Sequence, residues 1–281
     1  MFERGDPPVP VLESAAPTLS SPMSGVLTYH WILLLLAAPC VGSFLGVLIV
    51  RLPAGRPVAF DRSACPACGA RLGARELVPL VSWVLLRARC RHCGAPVPAR
   101  YPAIELAALG VALWALAVLP GWLAWAGAGL GWALLALAAI DARHLMLPDA
   151  LTLPLVPAGL AVAWAVDPAL LPGHLVGAAA GFGVIVGIGA LYRRWRGREG
   201  IGLGDAKLFA AAGAWVSWQG LPSVLLIAAG AALLAELALR ARRGPAGGAA
   251  EAGAAGRELP FGPWIAAGLW LTWLYGPLTL G

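Results

Sequence analysis

"WILLLLAAPCVGSFLGVLIV" (residues 31–50) carries no charge over its twenty residues. At 1.5 Å of rise per residue, a helix of that length spans about 30 Å, the thickness of a bilayer's hydrocarbon core. The rest of the chain repeats the pattern. Of 281 residues, 60% are apolar and 12% are charged, and mean hydropathy is +0.79. Further apolar runs lie at about 102–119, 122–140, 151–166, 173–192, 207–219, 221–239 and 262–280. The runs are continuous rather than alternating, which argues against a β-barrel. Backbone amides find no water in hydrocarbon, so the spans must be helices. The expected fold is an all-α polytopic membrane protein with about eight transmembrane helices and one small polar domain.

Residues 1–25 are rich in Pro and Ser and lack a basic stretch leading directly into an apolar core. They read as a disordered leader rather than a cleaved signal peptide, with Met1 or Met23 as the start. Residues 26–50 then form the first transmembrane helix, 51–100 a polar cysteine domain, and 101–281 a membrane-embedded domain. "GPAGGAAEAGAAG" (244–256) reads as a flexible linker.

Charge sets the orientation. With the first span running inward, nineteen of the 20 basic residues fall in inner loops, and only Arg4 lies outside. The positive-inside rule makes that side cytoplasmic. The net charge of +6 then reflects loops lying on anionic lipid headgroups. No nucleic-acid motif is present.

The large polar segment carries "CPACG" (65–69) and "CRHCG" (90–94). Each C-x-x-C pair can aim two thiolates at one ion, and the glycine after each pair permits the backbone to bend. Together Cys65, Cys68, Cys90 and Cys93 fit a tetrahedral four-sulfur zinc site, closed to water and therefore structural. Two disulfides are the alternative, disfavoured in a reducing compartment. Cys40 reads as a small packed residue of the first span, and His92 as a solvated neighbour.

Two further stretches place acids at span ends. "LALAAIDARHLMLPDALTLP" (135–154) holds Asp141 at the end of one helix and Asp149 at the start of the next. "GIGLGDAKLF" (200–209) places Asp205 and Lys207 at the opening of another. All three acids are expected at the same membrane edge, where charge is costly and marks function. Asp149 also reads as a simple helix-start residue. That reading fails for Asp141, since a helix C-terminus disfavours an anion. Two facing carboxylates can divide acid and base roles between them, as aspartic proteases do. Gly202 and Gly204 would let backbone approach a substrate or the opposite helix. Lys207 would bias the pair or snorkel to headgroups.

With these residues assembled, the chain resembles the type IV prepilin peptidases from about residue 39 onward. "GSFLGVLIVRLP" (42–53), "ELVPLVSWVLLRARCRHCG" (76–94), "ARYPAIELAALG" (99–110), "IDARHLMLPD" (140–149), "GIGLGDAKLFAAAGAW" (200–215) and "LPFGPWIAAG" (259–268) match that family's blocks in order. The resemblance implies that Asp141 and Asp205 are the catalytic pair, with Asp149 as a supporting acid. The implied substrates are prepilins and pseudopilins, whose basic leader is cut off after a glycine at the bacterial inner membrane. It further implies methylation of the new N-terminus by S-adenosylmethionine. The family commonly has Asn where this chain has Gly46. Glu105 is a candidate contributor to the methyl-donor site, or an interfacial acid beside Arg100. Asp149 and Glu199 are expected to offset the repulsion of a basic leader by the basic loops. His144 and His174 read as loop or interface residues, and the tryptophans, Trp215 among them, as an interfacial belt. The alternative function is a polytopic metal or ion transporter with intramembrane carboxylates. It is disfavoured because no repeat is visible and the acids sit at span ends.

Overall fold

The computed structural model describes residues 23–58, 63–197, 202–243 and 260–278. Residues 1–22 of the expected leader, the 244–256 linker and Glu199 lie outside them. Among the described residues eight helices carry the fold: α1 (Met23–Arg51), α2 (Val81–Leu85), α3 (Arg100–Val118), α4 (Leu123–His144), α5 (Asp149–Val166), α6 (Leu171–Arg196), α7 (Leu203–Arg243) and α8 (Gly262–Tyr275). Among the described residues, α1, α3, α4, α5, α6 and α7 are long and apolar enough to cross a membrane.

The expected count of eight spans and this count of six differ for two reasons. Ser217 inside α7 has φ 61° and ψ 174°, which is not helical, so α7 holds two apolar runs. Before the break, Phe209 and Gly213 face Gly181 and Gly177 of α6; after it, Gly220 faces Thr272 and Val224 faces Gly268 of α8. Helix α8 starts beside Asp141, because Gly262 bonds that residue. The second half of α7 pairs antiparallel with α8 and so returns toward the end where the first half began. Helix α8, for its part, has 14 residues, fewer than the roughly 20 needed to span the core unaided.

Close backbone contact holds the bundle. Lipid tails are as apolar as leucine, so helices in a membrane associate through small residues and van der Waals packing. On α6, Gly173, Gly177 and Gly181 recur every four residues and form one stripe. A Cβ on Gly177 would stand 2.5 Å from the Gly213 carbonyl oxygen, and one on Gly181 would strike the Phe209 carbonyl. The same device joins α1 to α3, where a Cβ on Gly42 would lie 2.6 Å from Glu105 Cα, and α4 to α8, where one on Gly131 would lie 2.7 Å from the Trp270 ring. Trp132 Nε1 donates to the Ala108 carbonyl at 2.9 Å, tying α4 to α3.

Three local expectations change. Trp215 is buried rather than interfacial: its Nε1 donates to the Leu155 carbonyl at 2.8 Å, in a hollow that Gly159 leaves open. Trp122 and Trp218 are exposed. Cys40 is exposed on α1 instead of packed. His174 lies within α6, its Nδ1 2.9 Å from the Ala214 carbonyl.

These contacts make α1, α3 and α4 successively antiparallel. Arg51, Arg100 and His144 therefore share one end of the bundle with the N-termini of α5, α7 and α8.

Gly177→Val should lower the melting temperature of the purified protein in detergent, by an overpacking cost of about 1–3 kcal/mol. Gly183→Val, at a position with no neighbour within 4 Å of its Cβ site, should leave it near that of the parent.

Candidate active site and metal centre

Asp141 lies one turn before the end of α4 and is buried, 5% exposed. Its Oδ2 accepts a hydrogen bond of 2.9 Å from the Gly262 N–H. Gly262 opens α8, and Pro263 follows at the position where a missing N–H costs nothing. The first N–H groups of a helix have no partner inside it and carry the positive end of its dipole. The start of α8 thus supplies Asp141 with what the end of α4 withholds.

Asp205 stands on the first turn of α7, half-buried. The Gly202 N–H bonds its carboxylate, and the Asp141 carboxylate lies within electrostatic reach. The two acids are thus brought together although 64 positions separate them in sequence. Leu147 is wedged between their supports. A Cβ on Gly204 would lie 3.1 Å from Leu147 Cβ, and one on Gly262 would lie 3.1 Å from Leu147 Cδ2. Gly204 thus leaves room for the Leu147 side chain of the α4–α5 loop, while Gly202 serves as a hydrogen-bond donor.

Lys207 faces Asp149 rather than Asp205. Its Nζ reaches Oδ1 at 2.6 Å and Oδ2 at 2.8 Å. This bridge ties the start of α7 to the start of α5, across the segment that carries Leu147. Both side chains are partly solvated, so the pair contributes about 0–1 kcal/mol to stability. Its value is positional. It also leaves less of the Asp149 charge for a basic ligand than the sequence suggests.

The cysteine segment forms two matching knuckles. In the first, Cys65 N–H bonds the Ala70 carbonyl and Gly69 N–H bonds the Cys65 carbonyl, each at 2.9 Å. In the second, Cys90 and Ala95 pair at 2.8 Å, and Gly94 and Cys90 at 2.9 Å. Gly69 and Gly94 have φ of 71° and 70°, the left-handed region that favours glycine. The Sγ atoms of Cys65, Cys68, Cys90 and Cys93 all lie within 4.8 Å of one another, and Cys65 and Cys93 are 3.9 Å apart. A tetrahedral ion with bonds of about 2.3 Å places its sulfurs about 3.8 Å apart, so the four thiols fit a metal ion. Backbone N–H groups of Cys68 and Ala67 lower the Cys65 thiol to about 7. Those of Cys93 and His92 lower Cys90. Both shifts favour the thiolate, the form that binds metal, whereas Cys93, against a lowering backbone hydrogen bond at Ala95, is pushed up to about 11 by Cys68 and by burial.

Glu105 is buried, 7% exposed, and is not beside Arg100, whose guanidinium lies over the Tyr101 ring at 5.2 Å. Its Oε2 accepts from the Leu80 N–H at 2.7 Å. Leu80 has φ 61°, a conformation that costs a branched residue energy. The charged hydrogen bond anchors this strained turn, and the segment carrying the second knuckle, to α3.

Gly262 is the residue that sequence reasoning missed. The signal was present, since Gly-Pro after a loop marks a helix start, but nothing in the sequence says which acid that start faces.

Two acids at one mouth of a helical bundle, with four thiols that could hold a metal ion on the same end, belong to a polytopic membrane protein. Residues 36–119 match the bacterial Peptidase A24 N-terminal domain, and residues 128–237 match the type IV leader peptidase family. A prepilin leader peptidase/N-methyltransferase of Burkholderia pseudomallei is 44% identical over 264 residues, covering 84% of this chain and 82% of that protein. The proteins of the same name in Aeromonas hydrophila and Pseudomonas aeruginosa are each 36% identical. The first covers 90% of this chain and 93% of its own length, the second 84% and 87%. No solved structure matches the chain. The chain belongs to the type IV leader peptidase family.

Gly262→Ala should destabilise the protein by about 1–3 kcal/mol, because the added methyl would stand 2.7 Å from Asp141 Oδ2. Asp141→Asn keeps an oxygen acceptor for the Gly262 N–H and should melt at or above the parent's temperature. Thermal unfolding of the two variants side by side checks both.

Proposed function

We propose that this protein is a membrane-embedded aspartic endopeptidase. It removes the basic leader from type IV prepilins and pseudopilins after a glycine, then N-methylates the new N-terminus with S-adenosylmethionine. Asp141 and Asp205 are the catalytic pair. The observation that carries this reading is their meeting at one end of the bundle, in a chain of the leader peptidase family. With Oδ2 of Asp141 held by Gly262, its Oδ1 is left for proton exchange. One carboxylate takes a proton from a water that attacks the scissile carbonyl, and the other delivers a proton to the departing amine. Asp149 and Lys207 hold the start of α7 in register, while Gly202 and Gly204 set the approach of Asp205.

The polar segment 51–100 is a cytoplasmic domain, the 26–50 helix its membrane anchor, and 101–281 the embedded peptidase. Nineteen of the 20 basic residues on one side of the spans support an inner-membrane protein with its active site facing the cytoplasm. The metal is a structural zinc, for which four thiolates leave no open position. Nothing in the fold favours the transporter alternative.

Asp141→Asn and Asp205→Asn should each abolish leader cleavage of a prepilin peptide by purified enzyme, by mass analysis, with membrane insertion intact. Near-parental cleavage by either variant removes that residue from the pair. Freshly purified protein should hold about one zinc per chain by metal analysis, and the Cys65→Ser/Cys68→Ser double variant should hold none.

A further inference from the structure

The stretch between the two knuckles carries an apolar face that the described chain leaves uncovered. Val78, Val81, Val84 and Leu85 are all exposed, Val84 and Leu85 at 65% and 75%. Val81, Val84 and Leu85 stand three and four residues apart and so share one side of α2. Val78 lies on the turn before it, where its carbonyl accepts from the Ser82 N–H at 3.1 Å. Ser82, Trp83 and Leu86 face inward, toward Cys65 and Cys90. The Trp83 Nε1 donates to the Val97 carbonyl at 3.2 Å, which fixes that inner side against the second knuckle. Helix α2 is therefore held with its apolar side outward. An apolar patch of this kind on an otherwise polar segment marks an interaction surface.

One hydrogen bond fixes the depth of that surface. The Leu80 N–H donates to Glu105 Oε2 at 2.7 Å, and Glu105 belongs to the membrane-spanning α3. It lies five residues past Arg100, where α3 starts, which is about 7.5 Å of rise. Its side chain leans back toward the start of the helix. Leu80 is therefore held between the levels of Arg100 and Glu105, where α3 enters the bilayer, and α2 begins at the next residue. Charge agrees with this depth. Arg75, Arg87 and Arg89 are exposed around the patch, and residues 77–89 contain no acid. Glu76, just before them, is spent on the Gly73 N–H at 2.7 Å. Apolar side chains bordered by arginines, at the depth of the headgroups, are the makings of an interfacial element on an anionic leaflet.

We propose that α2 and the turn before it are a membrane-docking surface whose partner is the lipid bilayer itself. Val78, Val81, Val84 and Leu85 rest among the upper acyl chains beside α3, and the arginines rest on anionic headgroups. The proposal stands on the membrane-spanning helices and on neither enzymatic reading. With five residues, α2 is far too short to cross the roughly 30 Å hydrocarbon core, so it lies in the interface. The cysteine segment is then a domain lying on the membrane rather than one hanging free in solvent. It is tied down twice, by Glu105 at Leu80 and by lipid along α2, at the end of the bundle that holds Asp141 and Asp205.

The test is photocrosslinking of the full-length protein in vesicles of phosphatidylethanolamine and phosphatidylglycerol. The photoreactive residue benzoylphenylalanine replaces Leu85 in one preparation and Val84 in another, with melting temperature and monodispersity in detergent as folding controls. Irradiation should give phospholipid adducts on the peptide that carries the replaced residue, read by mass analysis. Leu85→Glu, combined with the photoreactive residue at Val84, should lose the adduct, because a carboxylate is repelled by an anionic surface. Its melting temperature should stay at the parent's, since the Leu85 side chain is mostly exposed. Well-folded preparations that yield no lipid adduct at either position overturn the proposal. So does a crosslinked dimer in place of the lipid adduct, which makes a second copy the occupant, and so does an adduct that survives Leu85→Glu. An equal yield in vesicles of phosphatidylcholine alone overturns the part assigned to the arginines.

Discussion

An anion at the C-terminus of a helix faces that helix's own unpaired carbonyls, and Asp141 is tolerable there because a second helix begins against it. The hydrogen bond from Gly262 N–H to Asp141 Oδ2 sets the negative end of α4 against the positive end of α8 and places the carboxylate where the two fields meet. Much of the bundle serves this meeting. Helix α8 reaches the right depth because Gly131 of α4 accepts the Trp270 ring and Gly268 lies against the Val224 carbonyl. The second half of α7 must therefore return alongside α8, and the break at Ser217 turns it around. The first half of α7 is held to α6 by the glycine stripe, which carries Asp205 to the level of Asp141. A side chain added at any of these glycines moves a helix, and with it one of the two acids.

The Lys207–Asp149 bridge acts at a different scale. An ion pair this solvated adds little stability, yet it joins the start of α7, which carries Asp205, to the start of α5, just beyond the loop that follows Asp141. Leu147 is packed between Gly204 and Gly262 inside the same ring of contacts. Apolar contact there sets the spacing between the starts of α7 and α8, and the bridge holds the start of α7 to that of α5.

The membrane helices were legible because twenty uncharged residues have few other uses, and the knuckles because two C-x-x-C-G units with left-handed glycines admit few geometries. The convergence of Asp141 and Asp205 was legible only indirectly: both acids lie at span ends that the arginine distribution puts on one side, and the resemblance supplied the pairing. What stayed hidden depends on which helix neighbours which. The turn at Ser217 has neither Gly nor Pro at the break itself, with Pro222 five residues on, so the region reads as two runs with no visible connection. Trp215 looks like any interfacial tryptophan until Gly159 is seen to open a hollow for it. Glu105 accepts from a backbone N–H 25 residues away, and the Gly262 N–H donates to a carboxylate 121 residues away. No local pattern encodes either partner.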